Sequence, residues 1–200
     1  LPYEVRRHQL GSPVSEDEVV YTETDDTFYT YLYKLRSDEY IALVMSATDS
    51  TEVRLVDAGN PAAAPRVFLP REDKHEYHVR HLPGTFYVLT NWNAPNFRLM
   101  KVGESTTADK STWQEVIAHR EDVLLEDIEV FRNHLVVLER INGLQRVRVI
   151  RLDTGEARDI SFPDPAYTIA LGANPEIDSP HVRYEYSSLA RPDSVFDYHF

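Results

Sequence analysis

The sequence predicts an all-β protein, a partial β-propeller of about three complete four-stranded antiparallel blades plus two partial blades. Three observations carry that expectation. Short β-branched and aromatic runs recur along all 200 residues, with no eleven-residue helical stripe among them. The connections carry turn chemistry. Groups of four runs open near residues 28, 75, 125 and 167, a spacing of roughly 40 to 50 residues that matches a propeller blade.

The first runs, Val5–Gln9 and Glu18–Glu23, stand before the first complete group and read as the end of a preceding blade. Phe28–Leu35, Tyr40–Ala47, Glu52–Asp57 and Arg66–Leu69 form the first full group. In Phe28-Tyr29-Thr30-Tyr31-Leu32-Tyr33 the aromatics alternate as strand residues do, and they are expected to pack between blades. The run Ile41-Ala42-Leu43-Val44-Met45 is apolar on both faces, which a strand sandwiched between neighbouring blades requires.

The second group is His75–His81, Thr85–Asn91, Phe97–Val102 and Trp113–Ile117, with a Pro83-Gly84 turn after its first strand. The third is Leu125–Phe131, His134–Ile141, Leu144–Leu152 and Ala157–Phe162. Its Asn142-Gly143 pair is the strongest hairpin signal, because both residues tolerate the positive φ of a type I′ turn, and Thr154-Gly155 marks the next turn. Tyr167–Gly172, His181–Ser187 and Ser194–Phe200 close the chain, with Asn174-Pro175 in the loop after the first of them.

A β-sandwich is the competing architecture, but its strands alternate, whereas Leu135-Val136-Val137-Leu138 is again apolar on both faces. Trp92 and Trp113 are followed by Asn93 and Gln114, so no WD repeat is present. Open first and last blades would leave unpaired edges that ring closure normally removes, so the chain is expected to be a fragment of a longer protein.

Lys and Arg number 21 against 33 Asp and Glu, a net charge of 21 − 33 = −12. Eleven carboxylates and three basic residues between Glu16 and Asp57 place −8 of that charge in one stretch. The bias marks either a solvated surface or a site for cationic ligands. With no basic cluster, neither nucleic acid nor an anionic membrane is an expected partner. No apolar run approaches the ~20 residues of a spanning helix, and LPYEVRRHQLGS is too polar for a signal peptide, so the expected location is cytoplasmic. The absence of cysteine excludes disulfides, thiolate metal sites and a cysteine nucleophile.

Neither GxSxG nor SxxK occurs, so no catalytic residue is expected on this chain. The seven glycines form no phosphate-binding loop, and no cofactor is expected. In His75-Glu76-Tyr77-His78-Val79-Arg80-His81 the histidines are spaced by three, and on a strand His78 faces away from the other two. They read as hydrogen-bonded structural residues, with no metal site expected.

One constellation depends on the repeat. The loop before each first strand of a group carries acids: Asp25 and Asp26, Glu72 and Asp73, Glu121 and Asp122, and Asp164. If the blades are equivalent, these carboxylates recur around one rim and concentrate cationic peptides there. Turn capping, with local pairing to Arg71, Lys74 and Arg120, is the simpler use of the same side chains.

The stretches Val19 to Ala58, Val67 to His81, Val116 to Arg140 and Tyr184 to Tyr198 resemble, in order, the propeller domain of the oligopeptidase B (protease II) group in the prolyl oligopeptidase family of serine peptidases. The resemblance implies that residues 1–200 are a fragment of an N-terminal propeller capping a C-terminal α/β-hydrolase domain, absent from this chain and its expected partner. It implies a parent endopeptidase that cleaves short basic peptides after Arg or Lys, with the propeller acting as a steric gate. The alternative is a non-catalytic propeller scaffold that binds a basic peptide or protein.

Overall fold

A computed structural model describes residues 2–200. The described residues form seventeen strands and two short 3-10 turns, Val14–Glu16 and Lys110–Thr112. The strands make three four-stranded sheets, one three-stranded sheet and one two-stranded sheet, each with its strands in chain order. This is the blade composition that the periodicity predicts, and every expected strand has a counterpart. Contacts divide the chain into two compact units, the residues up to Tyr77 with Ser105–Thr112, and His78–Glu104 with Trp113–Phe200.

The first unit holds the pair β1 (Glu4–Arg7) and β2 (Glu18–Thr22), and the sheet β3 (Tyr29–Lys34), β4 (Tyr40–Ser46), β5 (Thr51–Asp57) and β6 (Arg66–Val67). Ala42, Leu43, Val44 and Met45 on β4 are at most 2% exposed, so both faces of this strand are covered as its composition requires. Leu43, Val44 and Met45 each contribute roughly 1.5–3 kcal/mol by leaving water. The strand expected over Arg66–Leu69 ends at Val67 instead, because Phe68 and Leu69 drop into the core before Pro70. Phe68 stacks on Tyr77 at 5.9 Å, and the Tyr77 phenol accepts the Val53 N–H at 2.8 Å.

The aromatic run of β3 departs from expectation. Phe28 is buried, but Tyr29 and Tyr31 are 40% and 38% exposed. The tyrosines occupy alternate positions on the face opposite buried Thr30, and β3 is the end strand of its sheet.

The second unit contains β7 (Tyr77–Leu82, its first residue in the first unit), β8 (Thr85–Thr90), β9 (Arg98–Gly103) and β10 (Gln114–Ile117) as one sheet. A second sheet is β11 (Val123–Val130), β12 (His134–Ile141), β13 (Leu144–Arg151) and β14 (Ala157–Asp159); a third is β15 (Tyr167–Leu171), β16 (His181–Ser188) and β17 (Arg191–His199). The double-sided strand β12 explains how these sheets stack. Leu135 and Val137 point into a core with Leu89 and Leu99, while Val136 and Leu138 point into another with Ile169 and Val182. Alternation along one strand thus feeds two blade interfaces.

Asn142 and Gly143 have φ of 49° and 84°, as the two-residue turn demands. β14 stops at Asp159, short of the expected Phe162, whose ring turns to stack on Tyr186 at 5.5 Å. β17 starts at Arg191, earlier than expected, and tolerates Pro192 because it pairs on one side only.

Candidate functional site

In the first unit, the turns before β3 and β7 bring three of the expected rim carboxylates to one concavity. A cavity of about 410 Å³ is lined by Asp25, Asp49, Ser50, Arg71, Glu72 and Asp73. Asp25 accepts the Thr27 N–H at 3.0 Å and the Thr27 hydroxyl at 2.6 Å, which shapes the turn into β3 and lowers the Asp25 pKa. Asp26 is exposed beside it.

Among the described residues lining this cavity Arg71 is the only guanidinium, and its charge is directed mainly elsewhere. Its Nη2 donates to Glu23 Oε2 at 2.6 Å, its Nε lies 3.3 Å from Glu52 Oε2, and its plane covers the Phe28 ring at 3.7 Å. Asp25 Oδ2 is more distant, at 3.9 Å. Glu23 and Glu52 are both buried. Burial opposes the Glu23 charge, but Arg71, the Asp25 N–H and the Tyr21 hydroxyl outweigh it and hold this carboxyl at about 2. Burial, together with the hydrogen bond to Glu23, pushes Tyr21 up to about 12.

The expected local pairing of Arg71 with its sequence neighbours is therefore replaced by pairing with buried acids, since adjacent residues of an extended segment project to opposite sides. Glu72 instead accepts Lys110 Nζ at 2.6 Å, within the same unit. The exposed carboxylates Asp25, Asp26 and Asp73 keep a negative field around the cavity.

The remaining predicted acids lie in the second unit. Glu121 and Asp122 are exposed on the turn before β11, where the Asn96 amide donates to the Glu121 carbonyl at 2.9 Å. Asp164 is neutralised locally. Its Oδ2 accepts Tyr186 at 2.6 Å, Ser188 at 2.9 Å and Arg191 Nε at 3.0 Å, and these bonds, led by that from Tyr186, lower its pKa.

The expected pairing of Arg120 with Glu121 and Asp122 is likewise replaced. Arg120 Nη2 donates to Glu139, which is fully buried and also accepts Arg146 Nη2 at 2.6 Å and Arg148 Nη2 at 2.9 Å. Residue-by-residue reading missed this cluster, although the signal exists: a two-residue turn at Asn142-Gly143 places Glu139 opposite Arg146.

The histidines of the 75–81 segment, expected as hydrogen-bonded structural residues, differ in their surroundings. His75 is buried with its ring 5.1 Å from that of Tyr77, and burial, helped by Lys110, pushes it down to about 4. His81 Nε2 lies 2.9 Å from Glu104 Oε1, and its ring packs 4.4 Å from Phe86. His78 is exposed.

Residues 2–200 match the family model described as prolyl oligopeptidase, N-terminal beta-propeller domain. The chain is 37% identical over 201 residues to dipeptidyl aminopeptidase BI of Pseudoxanthomonas mexicana, a match covering 98% of this chain and 27% of that protein. Protease 2 of Moraxella lacunata is 31% identical, covering 98% of this chain and 28% of its own length. The solved structure of oligopeptidase B from Leishmania major superposes with a TM-score of 0.90 at 30% identity, over 98% of this chain and 29% of that one. The chain thus spans less than a third of the length of these relatives.

Proposed function

The chain belongs to the prolyl oligopeptidase family as part of its N-terminal β-propeller domain, and from that membership we propose that it is the substrate-gating part of a serine endopeptidase that cleaves short peptides after Arg or Lys. In this reading the bond-breaking groups belong to an α/β-hydrolase partner domain, and this chain contributes selection. The blades exclude folded proteins by size, while the exposed acids around Asp25 and Asp73 draw in cationic peptides. The observation that supports the electrostatic part is that Arg71 pairs mainly with buried Glu23 and Glu52, while Asp25, Asp26 and Asp73 stay exposed around the cavity.

The reading is tested on full-length protein with three fluorogenic peptides: one cut after Arg, one cut after Pro, and one releasing an N-terminal dipeptide. Turnover of the Arg peptide, abolished by a serine-directed inhibitor, is expected to dominate. Dominant dipeptide release would replace this specificity with an exopeptidase one, and no turnover at all would favour a peptide-binding scaffold.

A further inference from the structure

Two neighbouring sheets of the second unit, β7–β10 and β11–β14, meet along an apolar seam in which Leu89 and Leu99 pack with Leu125, Ile128 and Val137. Among the described residues no ladder joins these sheets, and polar contacts fasten the seam at two places. In the turn before β9, the Asn96 carbonyl accepts the Leu125 N–H at 3.1 Å. On β7, Arg80 Nη2 donates to Asp127 Oδ1 at 3.1 Å, and Arg80 Nε lies 3.9 Å from Glu129 Oε2.

The second fastening depends on a local irregularity of β11. Its pairing with β12 shifts register between Leu125 and Asp127, a β-bulge. Val123 and Leu125 are buried ahead of the bulge, and Ile128 and Val130 are buried beyond it, so the alternation resumes one residue late. Strict alternation would send Asp127 to the buried face. The extra residue instead puts Asp127 and Glu129 on the face that meets Arg80, and the Ile128 N–H donates to Asp127 Oδ1 at 2.8 Å, which fixes the carboxylate. The contact is open to solutes, since the Arg80 and Asp127 side chains are 23% and 40% exposed. Ion pairs of this exposure are weak, and a competing cation shifts them readily.

We propose that Arg80 is a built-in competitor for basic peptides: its guanidinium fastens the seam by holding Asp127 and Glu129, and a peptide guanidinium that takes its place there loosens the two sheets from each other. One cation leaves the acids and one arrives, so the exchange is charge-balanced, and a neutral peptide has no means of making it. β7 and β11 are the first strands of their sheets, the strands nearest the central channel in a propeller. Loosening there widens the route of the peptides that cause it. The inference rests on the peptidase reading for its choice of a basic peptide, and it adds a response of the gate to its substrate.

The test uses full-length protein treated with a serine-directed inhibitor and reads amide hydrogen exchange by mass spectrometry at low salt, with hexa-arginine or hexa-glutamine added. Leu125 is the reporter, because its hydrogen bond to Asn96 crosses the seam, and Val136, held within the ladders of its own sheet, is the control. Hexa-arginine is expected to speed Leu125 exchange about three- to fivefold, the size set by a partly exposed ion pair, with Val136 unchanged and hexa-glutamine without effect. Arg80→Met is expected to show the faster exchange without peptide and to gain less than about 1.5-fold from hexa-arginine, while Arg80→Lys keeps the response. Unchanged or slower Leu125 exchange with hexa-arginine, or a response in Arg80→Met equal to that of the wild type, would overturn the latch. Failure of the peptidase reading shows separately, as absence of Arg-peptide turnover by the uninhibited protein.

Discussion

Arg71 donates to the carboxylate of Glu23 at 2.6 Å, and it is this buried acid, 48 positions away in sequence, that takes the guanidinium from the acidic turns around it. The pair joins the end of β2 to the turn before β7 and is completed by two backbone N–H groups and the Tyr21 hydroxyl. A buried carboxylate so thoroughly solvated by donors is a stable anion.

The Glu23 site makes stability sensitive to acid. Its folded pKa of about 2 lies below the ordinary glutamate value, so its contribution is complete above about pH 4.5 and is lost as pH falls toward 2. Unfolding free energies from urea titrations between pH 5 and 2.5 are expected to fall less in Glu23→Gln, by about 2 kcal/mol over that range, while the variant starts less stable at pH 7. Parallel profiles would remove Glu23 from the acid response.

His75 acts in the next window. Its folded pKa of about 4 lies below the ordinary 6.5, so the unfolded chain takes up a proton first and stability declines as pH drops from 6.5 to 4. His75→Gln is expected to flatten the melting-temperature profile between these values. A profile as steep as that of the wild type would contradict a neutral buried imidazole.

Glu139 holds three arginines from the entry to β11 and from β13. Removing its charge leaves crowded guanidinium groups that still face the half-exposed Asp159, 3.3 Å from Arg146 and 3.7 Å from Arg148. Glu139→Leu is expected to destabilise by about 3–5 kcal/mol in denaturant titration. Loss below about 1 kcal/mol would show that the cluster is screened like a surface pair.

Blade architecture was readable because it rests on local signals. Period two, double-sided apolar runs such as Ala42–Met45, and the Asn142-Gly143 turn together specify strands, stacking and register. Ion pairing was less readable, because partners are chosen across strands. Arg71 and Arg120 both have acids next to them in sequence, yet both reach to buried glutamates far along the chain. The exposure of Tyr29 and Tyr31 escaped for a related reason, since alternation identifies a strand face without saying what covers it.

The central proposal is that exposed acids draw basic peptides to this domain. Its most direct test is the ionic-strength dependence of kcat/KM for an Arg-rich peptide, comparing the full-length protein with a variant carrying Asp25→Asn, Asp26→Asn and Asp73→Asn, the exposed acids around the first unit's cavity. The wild type is expected to lose roughly tenfold in kcat/KM between low and high salt, and the variant to start lower with a nearly flat profile. Identical rates and identical salt slopes in the two proteins would contradict steering by these carboxylates.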